Sequence, residues 1–138
     1  DHLEHDAELA YAVGRILEMV SASLISGLES YQGSWRRSEV IGETQNSNIL
    51  MSDYGHHPEE IKPTLKAIKE KYPDRKLFVV FQPHQYSRTR ELLSEFATAF
   101  DDADELLISN IYFSRDKAED VEYMTMDRLI TTLKTRYP

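Results

Sequence analysis

Lys76-Leu77-Phe78-Val79-Val80-Phe81, followed at once by Gln82-Pro83-His84, is the stretch on which the fold turns. The run is continuously apolar rather than alternating, the pattern of a strand buried on both faces of a parallel sheet. Pro83, which lacks an amide donor, breaks the ladder behind it. Beyond it, Leu92, Leu93, Phe96 and Phe100 recur at helical spacing. The acidic turn Asp101-Asp102-Ala103-Asp104 then leads to a strand over 105–109, and a last helix carries Leu129, Ile130 and Leu133 with Thr125 as its cap. Working backwards, Tyr72-Pro73-Asp74 ends a helix whose stripe is Ile61, Leu65 and Ile68. Pro58 suits the first turn of that helix and Glu59 and Glu60 its positive end, while Pro63 either kinks it or delays regular bonding to about Lys62. The polar turn Thr44–Asn48 and a strand Ile49-Leu50-Met51 come before it. Strand alternating with helix three times predicts an α/β chain: an open, mainly parallel sheet flanked by helices. Two helices precede it. One spans 6–20 on Leu9, Val13, Ile16, Leu17 and Val20; the second, capped by Ser21 or Ser23, presents Leu24, Leu28 and Tyr31 and is ended by Gly33.

With 138 residues and 41% hydrophobic content the chain suits one compact domain. Sixteen Lys and Arg stand against 24 Asp and Glu, a net charge of −8 with no basic stretch. That excludes non-specific nucleic-acid binding, which needs a dense cationic face. The apolar run Leu77–Phe81 is far short of the roughly 20 residues that cross a bilayer, so a soluble, cytoplasmic protein without a membrane partner is expected. The absence of cysteine removes disulfides, thiolate zinc sites and cysteine nucleophiles.

In open parallel sheets ligands sit beyond the carboxyl ends of the strands. Three loops of unusual composition fall there: Asp53–His57, Gln82–Arg88 and Asn110-Ile111-Tyr112. His56, His57 and His84, with Glu59 or Glu60, are residue types that suit zinc, but adjacent histidines point apart on extended backbone, and a helix-start role for His56 is the simpler reading. Ser87, His84 and Asp53 lack the Gly-x-Ser-x-Gly frame of a nucleophile elbow. Arg36-Arg37 read blandly as solvated residues and Asp53 as a turn cap. Neither a Gly-x-x-x-x-Gly-Lys-Ser/Thr phosphate loop nor a Gly-x-Gly-x-x-Gly occurs, so no motif here holds a nucleoside triphosphate unaided.

The wording of the loops goes further. Gly33-Ser34-Trp35-Arg36-Arg37-Ser38-Glu39, Asp53-Tyr54-Gly55-His56-His57-Pro58-Glu59-Glu60-Ile61 and Phe81-Gln82-Pro83-His84-Gln85-Tyr86-Ser87-Arg88-Thr89-Arg90 resemble, in order and at about its spacing, the carboxy-terminal domain of the UDP-N-acetylmuramate–L-alanine ligases of the Mur ligase family. The resemblance implies a Rossmann-like sheet and a cytoplasmic step of peptidoglycan synthesis. That step joins L-alanine to UDP-N-acetylmuramate through an acyl-phosphate, with ATP and Mg2+. It also implies that residues 1–32 are the helical tail of a central domain bearing the phosphate loop, and that 33–138 are most of the carboxy-terminal domain. The family's closing strands would lie beyond Pro138, so a fragment, inactive alone, is expected.

Carried over, Arg37 approaches the ATP phosphates as a catalytic and nucleotide-binding residue, and Asp53 accepts a bond from the ribose. Tyr54, His56, His84 and Arg88 line the alanine and acyl-phosphate side, His56 and His84 being catalytic as well. No residue is implied as a metal ligand. Two departures stand out: Ser52 where the family usually has Asp, and Gln85 where it usually has Arg. The second removes a cation from the amino-acid site. Either Arg88 alone then meets the amino-acid carboxylate, and Gln85→Arg would tighten alanine binding, or Gln85 points elsewhere and the cation comes from Arg90 or a neighbouring domain. Two alternatives share the fold: a ligase that recycles whole cell-wall peptides onto the same sugar nucleotide, whose loop typically lacks the Phe-Gln-Pro-His wording, and a non-catalytic binding module.

Overall fold

A computed structural model of the chain describes residues 2–31 and 33–137. The elements run α1 (His2–Ile16), α2 (Ser21–Glu29), β1 (Glu39–Glu43), β2 (Ile49–Ser52), α3 (Pro58–Lys71), β3 (Phe78–Phe81), α4 (Tyr86–Glu91), α5 (Leu93–Phe96), β4 (Glu105–Ile108), α6 (Ala118–Tyr123) and α7 (Met126–Lys134). They fall into two compact units, residues 1–54 and 55–138. The domain boundary expected at Gln32 and the end at Pro138 lie outside the described residues.

In the first unit α1 starts and ends about four residues earlier than its apolar spacing predicts. Its stripe is not buried: Leu9, Val13, Ile16 and Leu17 are all exposed, Ile16 to 80%. Instead α1 and α2 meet at Gly14, where an added Cβ would stand 2.3 Å from Leu24 Cδ2. Ser21 does not cap α2. Val20 holds the cap position with no side-chain bond, and Ser21 Oγ accepts from Arg15 Nη1 at 2.8 Å. Gly33, at φ +91, stands beyond the end of α2 rather than terminating it. β1 and β2 form an antiparallel hairpin closed through Thr44–Asn48, with Thr44 N–H on the Asn48 carbonyl at 2.9 Å. The register slips between Val40 and Gly42, leaving Ile41 as the extra residue of a bulge. The strand Ile49–Met51, expected in the parallel ladder, thus pairs antiparallel with its predecessor, because so short a connection permits no other pairing.

The second unit holds the core. α3 runs unbroken through Pro63 and buries Ile61, Thr64 and Leu65. β3 and β4 pair in parallel, Phe78 opposite Glu105 and Phe81 opposite Ile108. Phe81, Phe96, Phe100, Met124, Leu129 and Leu133 form the centre, with Val79, Leu106 and Ile108 packed against it. The Phe81 ring lies 5.6 Å from Phe96 and 5.1 Å from Phe100. Only one face of the β3–β4 pair is covered. Phe78, Val80 and Leu107 are exposed, so the expectation of burial on both faces fails for this unit. The helix predicted after Pro83 is two pieces, α4 and α5, broken where Leu92 leaves the helical region at φ −105, ψ 20. Thr125 does cap α7, its Oγ1 accepting from Arg128 N–H at 3.2 Å.

Acidic residues pin the lower edge of this unit. Asp104 accepts from Lys69 Nζ at 2.7 Å and from Leu77 N–H at 2.6 Å, tying α3 to the start of β3, and both bonds hold its carboxyl below the usual range. Asp101 takes a two-pronged bond from Arg136 at 2.7 and 2.6 Å and a third from the Tyr137 hydroxyl at 2.7 Å. The guanidinium first, and the phenol second, bring Asp101 down to about 2, whereas burial and the Asp101 bond push the Tyr137 phenol up to about 12. The Asp101 contribution is therefore complete above about pH 4 and disappears as pH falls toward 2. The Tyr137 contribution is complete below about pH 10 and disappears on the way to 12. Urea denaturation of Asp101→Asn should fall below the parent at pH 6, with the gap narrowing as pH is lowered through about 2; equal curves at pH 6 and at pH 2 would rule out a net contribution.

Candidate functional site

The turn before β1 and the end of β2 build one cluster in the first unit. Arg36 and Ser38 adopt φ of 55 and 48, left-handed values that non-glycine residues take only when held. Two backbone bonds do the holding: Ser38 N–H donates to Asp53 Oδ2 at 2.7 Å, and Arg36 N–H donates to Glu39 Oε2 at 2.9 Å. The turn so fixed sets two guanidinium groups over one ring, Arg36 at 5.1 Å and Arg37 at 5.6 Å from the centre of Tyr54. Arg36 also stands 5.6 Å from the ring of Trp35, which is 80% exposed. Arg37, Asp53 and Tyr54, three residues singled out from the sequence, are thus brought together. Arg36 and Trp35 belong with them; their signal was the Trp-Arg-Arg triplet, read only for its second arginine. Paired guanidiniums beside a carboxylate-anchored turn suit a phosphate group, which arginine can grip through two parallel bonds.

In the second unit the histidines divide. His57, not His56, caps α3: its Nδ1 accepts from Glu59 N–H at 3.3 Å. Glu60 completes the capping box by accepting from His56 N–H at 3.1 Å and His57 N–H at 3.3 Å, and its carboxylate lies 3.4 Å from His56 Nδ1. His56 therefore joins Glu60 at the start of α3, whereas His84 and Arg88 stand together where β3 gives way to α4. There the parallel pairing runs on past the strands: His84 bridges to Tyr112, with Tyr112 N–H on the Pro83 carbonyl at 2.8 Å and Gln85 N–H on the Tyr112 carbonyl at 2.9 Å. The His84 and Tyr112 rings stack at 5.0 Å and 21°. Arg88 Nη1 reaches back to the His84 carbonyl at 3.4 Å.

Gln85 sits at φ 75, ψ 130, a conformation that costs a non-glycine residue of order 1–3 kcal/mol and persists only where its surroundings over-determine it. Its amide Nε2 donates to the Ser114 carbonyl at 3.0 Å, and its own carbonyl accepts from Thr89 Oγ1 at 2.7 Å. Next to it Asp116 accepts from Ser87 N–H at 2.9 Å, Ser87 Oγ at 3.0 Å and Ser114 N–H at 2.9 Å. Burial pushes the Asp116 carboxyl up, but bonds from the backbone of Ser114, Ser87 and Tyr86 outweigh it and hold the group below its ordinary range. Arg90 is committed to Asp120 at 3.0 Å and to the Tyr123 ring at 4.4 Å. Tyr112 belongs to the loop that the sequence places at the ligand edge, whereas nothing in the sequence singles out Asp116. The acidic residue lies 29 positions from the serine it holds.

Among the described residues no three His, Asp or Glu side chains are grouped to hold a metal ion, and no helix is long and apolar enough to cross a membrane.

Similarity to known proteins extends over residues of both units. The family profile described as "Mur ligase, glutamate ligase domain" covers residues 36–136. A UDP-N-acetylmuramate–L-alanine ligase of Clostridium botulinum (strain Hall) is 44% identical over 124 residues, 90% of this chain and 26% of that protein. The enzyme of the same name from Chlorobium phaeovibrioides is 42% identical over 119 residues, 86% of this chain and 25% of that protein. The crystal structure of UDP-N-acetylmuramate-alanine ligase MurC from Thermotoga maritima superposes with a TM-score of 0.73 at 26% identity, over 97% of this chain and 27% of that one. The chain spans about a quarter of the length of the relatives it matches. On the extent of the profile match, this chain belongs to the Mur ligase family and carries its glutamate ligase domain.

Proposed function

We propose that the protein carrying this chain is a cytoplasmic ATP-dependent ligase that joins L-alanine to UDP-N-acetylmuramate, and that residues 33–138 are its carboxy-terminal domain, preceded in 1–32 by the tail of the central one. The observation that carries this reading is the 44% identity to proteins of that name across 90% of the chain. The paired guanidiniums on Tyr54 support it from the chemistry. ATP supplies the phosphoryl group that activates the sugar's carboxylate. Arg37 meets the charge that builds on that group as it transfers, and Asp53 accepts from a ribose hydroxyl. Tyr54, His56, His84 and Arg88 serve the amino acid and the acyl-phosphate. Magnesium falls, on this reading, to the part of the protein that bears the phosphate loop.

The test is formation of UDP-N-acetylmuramoyl-alanine, followed by mass spectrometry, from ATP, magnesium, L-alanine and the sugar nucleotide. Product that depends on both ATP and alanine supports the reading, and its absence with folded full-length protein refutes it. Two further outcomes follow. The 138-residue chain alone should release no phosphate from ATP above a protein-free blank, because positioning of the triphosphate provides most of the rate and no phosphate loop occurs in it. With Gln85 tied to Ser114 and Arg90 to Asp120, we assign the amino-acid carboxylate to Arg88, against the alternative of a cation from a neighbouring domain. Arg88→Ala should then raise KM for alanine by roughly tenfold or more while KM for ATP stays within about twofold. Equal rises in both constants would misplace the carboxylate contact.

A further inference from the structure

One of the most strained residues of the chain is Gln85, at the elbow that joins β3 to α4. Gln85 holds φ 75 between the end of β3 and the start of α4. Four of the bonds on it and its neighbour bear on the elbow. Its N–H goes to the Tyr112 carbonyl at 2.9 Å, its carbonyl takes Thr89 Oγ1 at 2.7 Å, and its side-chain amide reaches the Ser114 carbonyl at 3.0 Å. The fourth is Arg88 Nη1 on the His84 carbonyl at 3.4 Å. Thr89 is itself fully buried, so the anchor beneath the elbow is rigid. The loop reached by the Gln85 amide is the one that carries Tyr112, and Asp116 fastens the same loop again through Ser87. His84 is exposed and lies with one ring face on Tyr112. A strained backbone held by its surroundings, immediately after an exposed histidine, is the arrangement by which proteins store local strain to fix a side chain.

We propose that Gln85 is a positioning residue: by spanning from the strained elbow to Ser114, it locks the loops after β3 and β4 together and holds the His84 ring against Tyr112. Its amide thus spends its donor on the loop and contributes nothing to charge at the amino-acid carboxylate. This deepens the ligase reading by naming what sets the His84 geometry, but its principal test needs no turnover.

The protein carrying this chain is labelled with 13C at the histidine Cε1, and the His84 signal is assigned by its loss in His84→Asn. Tyr112→Leu gives the unstacked reference. Gln85→Met keeps the length and the Cβ of the side chain but has no donor, and its His84 signal should move to the unstacked position. Gln85→Gly removes both the tether and the steric penalty of positive φ, so its melting temperature should equal or exceed the parent's while its His84 signal moves in the same way. A tether with a purely structural role would lower melting and leave the ring signal unchanged. If Gln85→Met does not fold, the glycine variant decides. A His84 signal at the parental position in Gln85→Gly overturns the proposal. In turnover assays Gln85→Met should raise KM for alanine several-fold at unchanged KM for ATP. A protein that uses no alanine at all refutes the ligase reading and leaves the ring measurement to judge the positioning role alone.

Discussion

Arg37→Ala or Asp53→Asn, made in the protein carrying this chain, is expected to lower kcat/KM for ligation by roughly thirty- to a thousandfold, about 2–4 kcal/mol of transition-state stabilisation, with melting unchanged. The two substitutions act at different points of one cluster. Arg37 loses a cation held over Tyr54 at 5.6 Å. Asp53→Asn keeps an oxygen able to accept from Ser38 N–H, which now sits 2.7 Å from the carboxylate, so the turn survives while the charge goes. Neither residue belongs to the buried core, which is why stability should not follow activity. Early melting of either variant would make that residue structural. Parental kinetics would remove it from the site.

The second large effect is on stability. Phe100 is 1% exposed and packs its ring 5.1 Å from Phe81 and 6.5 Å from Tyr137. Truncating a fully buried phenylalanine costs about 3–5 kcal/mol in lost transfer energy and cavity, a large share of the roughly 5–15 kcal/mol that holds an ordinary domain together. Phe78 shares β3 with Phe81 but lies on its uncovered face, 56% exposed. Phe78→Ala should cost less than about 1 kcal/mol. Urea denaturation of both variants tests the assignment of inner and outer sheet faces: comparable losses would mean that Phe78 is covered by something in solution.

Much of this architecture was legible because its signals are local. Leu77–Phe81 followed by Pro83 marks a strand and its end, Thr125 three residues before an amide in need of a partner marks a cap, and Pro58 with Glu59 and Glu60 marks the start of α3. What failed to show was set by distant partners. The apolar stripe of α1 predicts a buried face, yet in its unit α1 meets α2 through Gly14 and leaves the stripe exposed. The backbone break at Leu92 lies inside an unbroken helical pattern, so spacing alone could not divide α4 from α5.

The site follows the same rule. Loop wording pointed to Arg37, Asp53, Tyr54, His56, His84 and Arg88, and the structure groups the first three in one cluster and His84 with Arg88 in another. Pro58 at the first helical position makes His57 the cap of α3, and His56 keeps a helix-start role through its contacts with Glu60. The Asp116 latch joins residues 29 apart, and a lone acidic residue in a polar loop carries no mark of its partner.

Competition between two acceptors in one reaction tests the central claim most directly. The protein carrying this chain is given ATP, magnesium and UDP-N-acetylmuramate with equal concentrations of L-alanine and an alanine-headed cell-wall tripeptide, and the products are separated by mass. An alanine ligase forms the single-alanine product in large excess. Predominant tripeptide product would contradict the account and assign the chain to a peptide-recycling ligase of the same fold.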